Sequence, residues 1–202
     1  MVHISDGILQ PQVWIAGFII TGLIVAWTLT KMQADDVSKL SVVTAAVFVA
    51  SLIHFPVGPT SVHLVLNGFA GVMLGIFAYP SIFIALILQA VLFQHGGITT
   101  IGINTINMGI PALLAAGIFR YGMRLNITKK ETLFGALAGG VGVAGAVLLL
   151  SIELLSIGET FETVTAVVAA AHIPVIVIEA IFTGALAGFL AKVKPEILEG
   201  IR

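Results

Sequence analysis

Hydrophobic and polar positions alternate along this chain in long blocks rather than residue by residue. Apolar runs of about 16 to 25 residues, a length that lets a helix cross a bilayer, are separated by short polar or Gly/Pro-containing segments. No linker or low-complexity segment divides the chain, so residues 1–202 are predicted to form a single domain, an all-α integral membrane protein. The pattern predicts about seven transmembrane helices, near 13–30, 40–55, 63–78, 81–95, 106–120, 133–155 and 164–191.

A run of small residues occurs in each of the last two predicted spans. Gly135-Ala-Leu-Ala-Gly139 in the sixth span is matched by Gly184-Ala-Leu-Ala-Gly188 in the seventh. Small residues one helical turn apart let two helix backbones approach closely in a membrane. The repeat therefore predicts helix packing rather than a duplicated domain.

Composition supports a membrane protein and excludes several functions. The chain is 58% hydrophobic and 9% charged, and its mean hydropathy is +1.13. Its net charge of −1, with no block of like charges, argues against a nucleic-acid partner. The absence of Cys excludes disulfides, Cys-rich zinc sites and iron–sulfur clusters. Any metal must therefore be held by His, backbone or carboxylate groups.

The basic residues predict the orientation in the membrane, because cytoplasmic loops retain Lys and Arg. All nine fall between spans one and two, between spans five and six, or after span seven, and these segments lie on one side of a seven-span protein. We therefore expect an outside N-terminus, a cytoplasmic C-terminus and a multi-pass protein of the cell membrane. The nine are Lys31, Lys39, Arg120, Arg124, Lys129, Lys130, Lys192, Lys194 and Arg202.

The five histidines fall on the opposite, outer side of this predicted topology. A histidine also tolerates the interfacial region of a membrane, but five on one side and none on the other suggests a shared role. They are His3, His54, His63, His95 and His172.

The first seven residues, which we call the head, carry no Lys or Arg, unlike a signal peptide, and are expected to stay attached. If Met1 is retained, the amine, two amide nitrogens and the His3 imidazole could form a four-nitrogen plane that suits Ni or Cu. If Met1 is removed, Val2 supplies the amine, His3 becomes the second residue, and a fourth nitrogen must come from elsewhere. The alternative is a disordered terminus with an idle imidazole.

The segment from His54 to His63 contains two prolines and a glycine, which predict an irregular turn before a span. Such a turn holds Thr60, Ser61 and His63 in place, and a fixed turn would suit a fourth ligand. The alternative is that Thr60 or Ser61 caps the next helix and His63 packs in its first turn.

A second polar segment runs from Gln94 to Asn107 and is rich in Gly, Thr and Asn. Such a sequence cannot face lipid, so we expect it to fold into the protein or to line a polar cavity. Asn104 and Asn107 lie one helical turn apart, where their amides could orient metal ligands. The chain has no phosphate-binding Gly-x-x-x-x-Gly-Lys-Ser/Thr motif, so any ATP hydrolysis requires a partner.

The last span contains His172, Pro174 and Glu179. His172 and Glu179 share one face if the helix is continuous, and an acid inside a membrane is a functional candidate. The alternative is a hydrogen-bonded packing residue. Glu179 is expected about 10 Å below His172, too deep to bind a metal at the outer face.

Together these segments resemble the CbiM/NikM family, the substrate-binding subunits of energy-coupling-factor cobalt and nickel transporters. The resemblance covers nearly the whole chain. It rests on the N-terminal segment from His3 to Leu9, the turn from Phe55 to His63, the loop from Gly96 to Met108, and the segment from His172 to Glu179.

This resemblance implies a seven-helix subunit whose head folds back into the bundle. It also implies high-affinity binding of Co²⁺ or Ni²⁺ in a square plane made by the terminal amine, the amide and imidazole of the second residue, and His63. The protein would be a transporter subunit rather than an enzyme, with the metal as its substrate. The family begins Met-His where this chain begins Met1-Val2-His3, so either Met1 is removed or the coordination changes; we expect removal.

The resemblance further implies partners: a transmembrane coupling protein, a pair of ATPase subunits and often a small accessory membrane protein. Ala46 and Ala50 on the second span form a candidate docking face for the coupling protein. Two alternatives to metal transport are a vitamin-binding relative that uses the same coupling machinery, and a haem or metal membrane enzyme with His54 and His95 as axial ligands.

Overall fold

The computed structural model describes residues 3–57 and 60–199, with the backbone alone at 54–57, 60–62 and 199. The chain is mostly helical. Two short 3₁₀ turns, at Gly75–Phe77 and Glu159–Phe161, each lie directly before a longer helix. Its elements are α1 (Pro11–Leu29), α2 (Ala34–Ser51), β1 (His54–Val57), β2 (Thr60–His63), α3 (Asn67–Leu74), α4 (Ala78–Phe93), α5 (Ile101–Met123), α6 (Lys130–Ile157), α7 (Glu162–Val193) and α8 (Glu196–Glu199).

Five helical segments among the described residues are long and apolar enough to cross a membrane, which agrees with the predicted class of helical membrane protein. The prediction of seven spans with an outside N-terminus stays a prediction, because length and composition give neither that count nor a side. The five are Pro11–Leu29, Asn67–Phe93, Ile101–Met123, Lys130–Ile157 and Glu159–Val193.

Helix α1 shows the reversed amphipathicity of a helix that faces lipid. Its buried residues are small or polar, namely Gly17, Thr21 and Thr28. Large apolar side chains such as Leu23 (67% exposed) and Trp27 (53% exposed) point outward. Since lipid tails are as apolar as these side chains, helices in a membrane associate through close packing and hydrogen bonds instead. Thr21 supplies one such bond, to the carbonyl of Gly102 at 2.8 Å.

The segment predicted as an irregular turn is a β-hairpin, which corrects the all-α expectation at this point. Strands β1 and β2 pair antiparallel, with His54 opposite His63 and Val57 opposite Thr60. The predicted third span therefore does not begin at His63, where β2 ends; the helix begins at Asn67. Pairing with β1 fixes the place at which His63 enters the bundle.

Helices α3 and α4 form a hairpin inside the bundle. Helix α3 has eight residues, about 12 Å of length, so it cannot cross a bilayer alone. His63 before α3 and Gly96 after α4 both lie against His3, so the chain enters and returns to the same end. The predicted junction near residues 79–80 is wrong, since the helix breaks at Gly75 (φ +59°) and Tyr79 is buried within α4.

The predicted close packing of small residues is confirmed between α6 and α7. A Cβ placed on Gly135 would lie 2.8 Å from the Cβ of Ala187 and 3.2 Å from the Cα of Gly184. A Cβ on Gly139 would lie 2.5 Å from the carbonyl oxygen of Glu179. The two backbones therefore approach at a distance that only glycine allows, and this places the α7 acid in the centre of the bundle.

The two ends of the bundle differ in charge. At one end the Lys39 ammonium donates to the carbonyl of Ile197 at 2.6 Å, and Lys130 donates to the carbonyl of Met123 at 2.7 Å. These bonds join the second turn of α2 to α8 and the end of α5 to the start of α6. We call this end of the bundle the basic end. The opposite end holds the histidines, and we call it the histidine end.

Candidate metal site at the histidine end

Two imidazoles, from His3 in the head and His63 at the end of β2, lie side by side in the interior. Their ring centroids are 5.1 Å apart, with planes inclined at 64°. His3 is 7% and His63 3% exposed. Among the residues that the structure describes, neither ring nitrogen of His3 has a hydrogen-bond partner. Buried polar atoms are normally paired, so this ring is placed for a ligand.

The hydrogen bonding of His63 selects its tautomer. Its Nδ1 lies 2.7 Å from the carbonyl oxygen of Leu64, and a carbonyl can only accept, so Nδ1 carries the proton and donates. The lone pair of the neutral ring is then on Nε2, where a metal can bind. This is the usual arrangement of a metal-binding histidine, whose second nitrogen is held by a carbonyl or carboxylate.

Burial keeps both rings uncharged at neutral pH. It lowers the pKa of His3 well below the ordinary value of 6.5, and the neighbouring His63 adds to this effect. Burial also lowers the pKa of His63 to about 4. Two positive charges at this separation would repel each other in a site of low polarity. The pair therefore presents lone pairs without first releasing protons.

A clamp of side chains holds the backbone directly after His3. The Asn104 amide accepts from the Ile4 N–H at 2.8 Å and donates to the Ile4 carbonyl at 3.0 Å. The Thr100 hydroxyl donates to the same carbonyl at 2.7 Å. Ile4 itself is buried, so the head is folded into the bundle at this residue. Gly96 lies beside the clamp, where a Cβ would sit 3.3 Å from His3 Nδ1.

Asp6 makes a second attachment of the head, which the sequence analysis did not single out. Its carboxylate accepts from the N–H groups of Ile98 at 3.1 Å and Thr99 at 2.9 Å, and from the Thr99 hydroxyl. The hydroxyl bond, followed by the backbone bonds, lowers the pKa of Asp6 below its ordinary value of 3.8. Nothing local in the sequence links Asp6 to a loop that lies 92 residues away.

Glu179 holds the backbone that follows His63. Its side chain is fully buried, and its carboxylate accepts from the N–H of Val65 and from the N–H of Leu66 at 2.9 and 3.0 Å. Leu66 has φ +51°, in the left-handed region that a leucine rarely adopts. The acid of α7 therefore supports the strained step between the hairpin and α3.

His172 and His95 lie near the pair without completing a side-chain cluster. His172 Nδ1 lies 2.7 Å from the carbonyl of Val168, and its Nε2 has no partner in the described part of the chain. Both histidines are close enough to act electrostatically on His3. Among the side chains that the structure describes, no group of three or more His, Asp or Glu is arranged to hold one ion. Further donors would have to come from backbone or from side chains outside this described set.

The remaining predicted site residues fall into two groups. Asn107 is not part of the clamp: its amide donates to Glu153 of α6 at 2.6 Å. The side chains of His54, Thr60 and Ser61 are outside the described set, as are Met1 and Val2 altogether. Asn67, which the sequence analysis missed, donates to the carbonyls of Gly142 at 2.8 Å and Met108 at 3.2 Å, which anchors the start of α3.

A family model described as the cobalt uptake substrate-specific transmembrane region matches residues 3–197. The chain belongs to the CbiM family. A Haemophilus influenzae protein assigned by name to metal transport is 35% identical over 98% of this chain and 97% of its own length. The cobalt transport protein CbiM of Clostridium tetani is 30% identical over 100% of this chain and 90% of its own.

A solved structure supports the same assignment. A crystal structure of a transition metal transporter matches with a TM-score of 0.81 and 26% identity over 95% of this chain and 93% of that one. Membership of the CbiM family makes the chain a multi-pass membrane component of cobalt or nickel transport rather than an enzyme. It also argues against the vitamin-binding and haem-enzyme alternatives.

Proposed function

We propose that this protein binds one Co²⁺ or Ni²⁺ ion as its transport substrate, with the imidazoles of His3 and His63 as two of the ligands. The observation that carries the proposal is the pair itself: two buried, uncharged rings with centroids 5.1 Å apart. The tautomer of His63 directs its Nε2 lone pair to a ligand, and both nitrogens of His3 are free of partners within the described chain.

The other two donors are proposed to be backbone nitrogens of the head. The Ile4 N–H is already donated to Asn104, so a backbone donor must come from His3 or from the residues before it. With Met1 removed, the Val2 amine, the His3 amide and two imidazoles complete a four-nitrogen plane. One extra residue before Val2, or acetylation of its amine, should sharply reduce metal binding, since the amine is displaced or neutralised.

Such a plane would also explain the choice of metal. Nitrogen donors in a square-planar arrangement suit Ni(II) and accept Co(II). They do not suit Mg²⁺ or Ca²⁺, which take six or more oxygen ligands. The clamp on Ile4 adds rigidity, because it fixes the direction in which the head approaches His63. High affinity is proposed to come from this preorganisation.

The protein is proposed to act as the substrate-specific subunit of an energy-coupling-factor transporter. Its partners would be a transmembrane coupling protein, a pair of ATPases and a small accessory membrane protein. Seven spans, with the histidine end outside and the basic end cytoplasmic, would let the site collect metal from outside the cell. The segregation of Lys and Arg supports this orientation.

The test is metal binding by the purified, detergent-solubilised protein with its native N-terminus. Wild type should bind one equivalent of Ni²⁺ or Co²⁺ in a calorimetric titration, and His63→Ala should abolish stoichiometric binding without unfolding the protein. His95→Ala removes an imidazole from the same end that is outside the proposed ligand set, and should keep the stoichiometry. Equal affinity of wild type and His63→Ala would place the site elsewhere.

A further inference from the structure

A cavity of about 400 Å³ opens at the basic end, away from the histidines. It lies where the end of α5, the start of α6 and the C-terminal segment around α8 converge. Its polar lining comes from Arg120, Lys130 and Glu131, and its apolar lining includes Phe119, Met123 and Leu198. The metal site does not use any of these residues.

The polar side of the cavity has an excess of positive charge. Within the described residues, the Nε of Arg120 is buried and has no hydrogen-bond partner. Lys130 donates one proton to the Met123 carbonyl at 2.7 Å, which leaves its other two ammonium protons for a ligand. Among the lining residues that the structure describes, Glu131 contributes the single carboxylate, so two cations face one anion. A buried, unpaired guanidinium donor calls for an acceptor with negative charge.

The start of α6 adds to this field. The helix runs 28 residues from Lys130, and no side chain of the described chain caps its first turn. The first N–H groups of a helix carry partial positive charge and favour an anion. Arg120, Lys130 and this helix start therefore point to one anionic group between α5 and α6.

The apolar lining of the cavity indicates which kind of anion it binds. A free phosphate gains nothing from Phe119, Met123 and Leu198, whereas a lipid can place its phosphate at the cations and its first acyl carbons along these side chains. Basic pockets between helix ends at the cytoplasmic surface suit acidic lipid headgroups. We infer that this cavity binds an anionic phospholipid, which links α5, α6 and the α8 segment.

The test uses the full-length protein exchanged into micelles with either phosphatidylglycerol or phosphatidylcholine, with retained lipid counted by native mass spectrometry. Wild type should retain one phosphatidylglycerol molecule per protein. Its retention of phosphatidylcholine should be lower by at least about fivefold, the difference expected when one cation contacts the headgroup. Arg120→Gln should lose about fivefold in phosphatidylglycerol retention. Arg124→Gln, which removes an exposed charge one turn further along the chain, should leave retention unchanged.

The controls separate a lost site from a lost fold. Ni²⁺ binding at the opposite end should be equal in wild type, Arg120→Gln and Arg124→Gln, and Lys130→Gln should reproduce the lipid defect. Three outcomes would overturn the inference: equal retention of both lipids, equal retention by the Arg120 and Arg124 variants, or displacement of the lipid by millimolar inorganic phosphate. The last outcome would assign the cavity to a soluble anion.

Discussion

The Glu179 carboxylate accepts from the backbone N–H of Leu66 at 2.9 Å, and the two residues are 113 positions apart in sequence. This bond joins the middle of α7 to the segment between His63 and α3. Because Leu66 is held at φ +51°, the segment needs an external acceptor for its N–H groups. The backbone that follows His63 is therefore held by an acid that is outside the proposed ligand set.

Glu179→Gln should weaken metal binding although it removes no ligand. The amide offers one acceptor oxygen in place of two and directs an NH₂ group at a backbone N–H, which leaves a buried donor unpaired at about 1–3 kcal/mol. We expect a lower unfolding temperature and about tenfold weaker Ni²⁺ binding in calorimetry. Glu162→Gln changes an exposed acid of the same helix and should alter neither quantity. Unchanged affinity in Glu179→Gln would show that this support is not needed.

Asn104→Leu should release the head from the loop. The substitution deletes both hydrogen bonds to Ile4. It leaves the buried Ile4 N–H unpaired, whereas the Ile4 carbonyl keeps its bond from the Thr100 hydroxyl. We expect Ni²⁺ affinity to fall by at least about tenfold. Asn107→Leu, one turn further along α5, removes the bond to Glu153 instead. It should cost stability and leave metal affinity within about twofold. Equal affinities in the two variants would contradict the role of the clamp.

Gly96→Ala should impair binding through the ring of His3. A methyl group there would lie 3.3 Å from Nδ1, and the backbone has φ +76°, a conformation that costs an alanine about 1 kcal/mol or more. Gly117→Ala adds the same methyl group where no described atom lies within 4 Å, and should be neutral or stabilising. The Ni²⁺ affinities of both variants can be measured by competition with a coloured Ni²⁺ chelator. Equal affinities would show that Gly96 is not part of the site.

The stability of the metal-free protein should fall as the pH is lowered from about 6.5 to about 4. The pKa of His63 is lowered to about 4 by burial, so in this window the unfolded chain binds a proton that the folded chain does not. Above the ordinary pKa of 6.5, the uncharged His63 ring contributes its full share, about 3 kcal/mol, to the free energy of unfolding. This contribution is lost as the pH falls to about 4.

His63→Ala should flatten this pH dependence in thermal unfolding, and the double variant with His3→Ala should flatten it further, since burial lowers the pKa of both rings. Gly117→Ala, which removes no titratable group, should keep the wild-type profile. If the profiles of wild type and His63→Ala coincide, the imidazole is not held uncharged by burial.

Much of the architecture is predictable from sequence because a bilayer imposes a minimum length on each apolar run. The runs at residues 13–30 and 133–155 correspond to α1 and α6, and the glycines shared by α6 and α7 mark their contact. The α3–α4 hairpin is not predictable in the same way. Residues 64–93 form a nearly continuous apolar stretch, and the break at Gly75 depends on packing against other helices.

The candidate metal site was also predictable only in part. Sequence reasoning proposed His3, His63, Asn104 and Glu179 from their chemistry, and residues of these types are rare in an apolar chain. It could not predict which backbone each polar side chain holds, because most of these bonds join residues far apart in sequence, 100 positions in the case of Ile4 and Asn104. Asp6 and Asn67 were missed because most of their partners are backbone groups of distant residues, which leave no mark in the sequence.

X-ray absorption of the Ni²⁺-loaded protein is the measurement that tests the two-imidazole site most directly. We expect a four-coordinate shell made only of nitrogen. Outer-shell scattering should show two imidazole rings in wild type and one ring in any metal that His63→Ala retains. A six-coordinate, oxygen-dominated shell, or a spectrum that is unchanged in His63→Ala, would contradict the two-imidazole site.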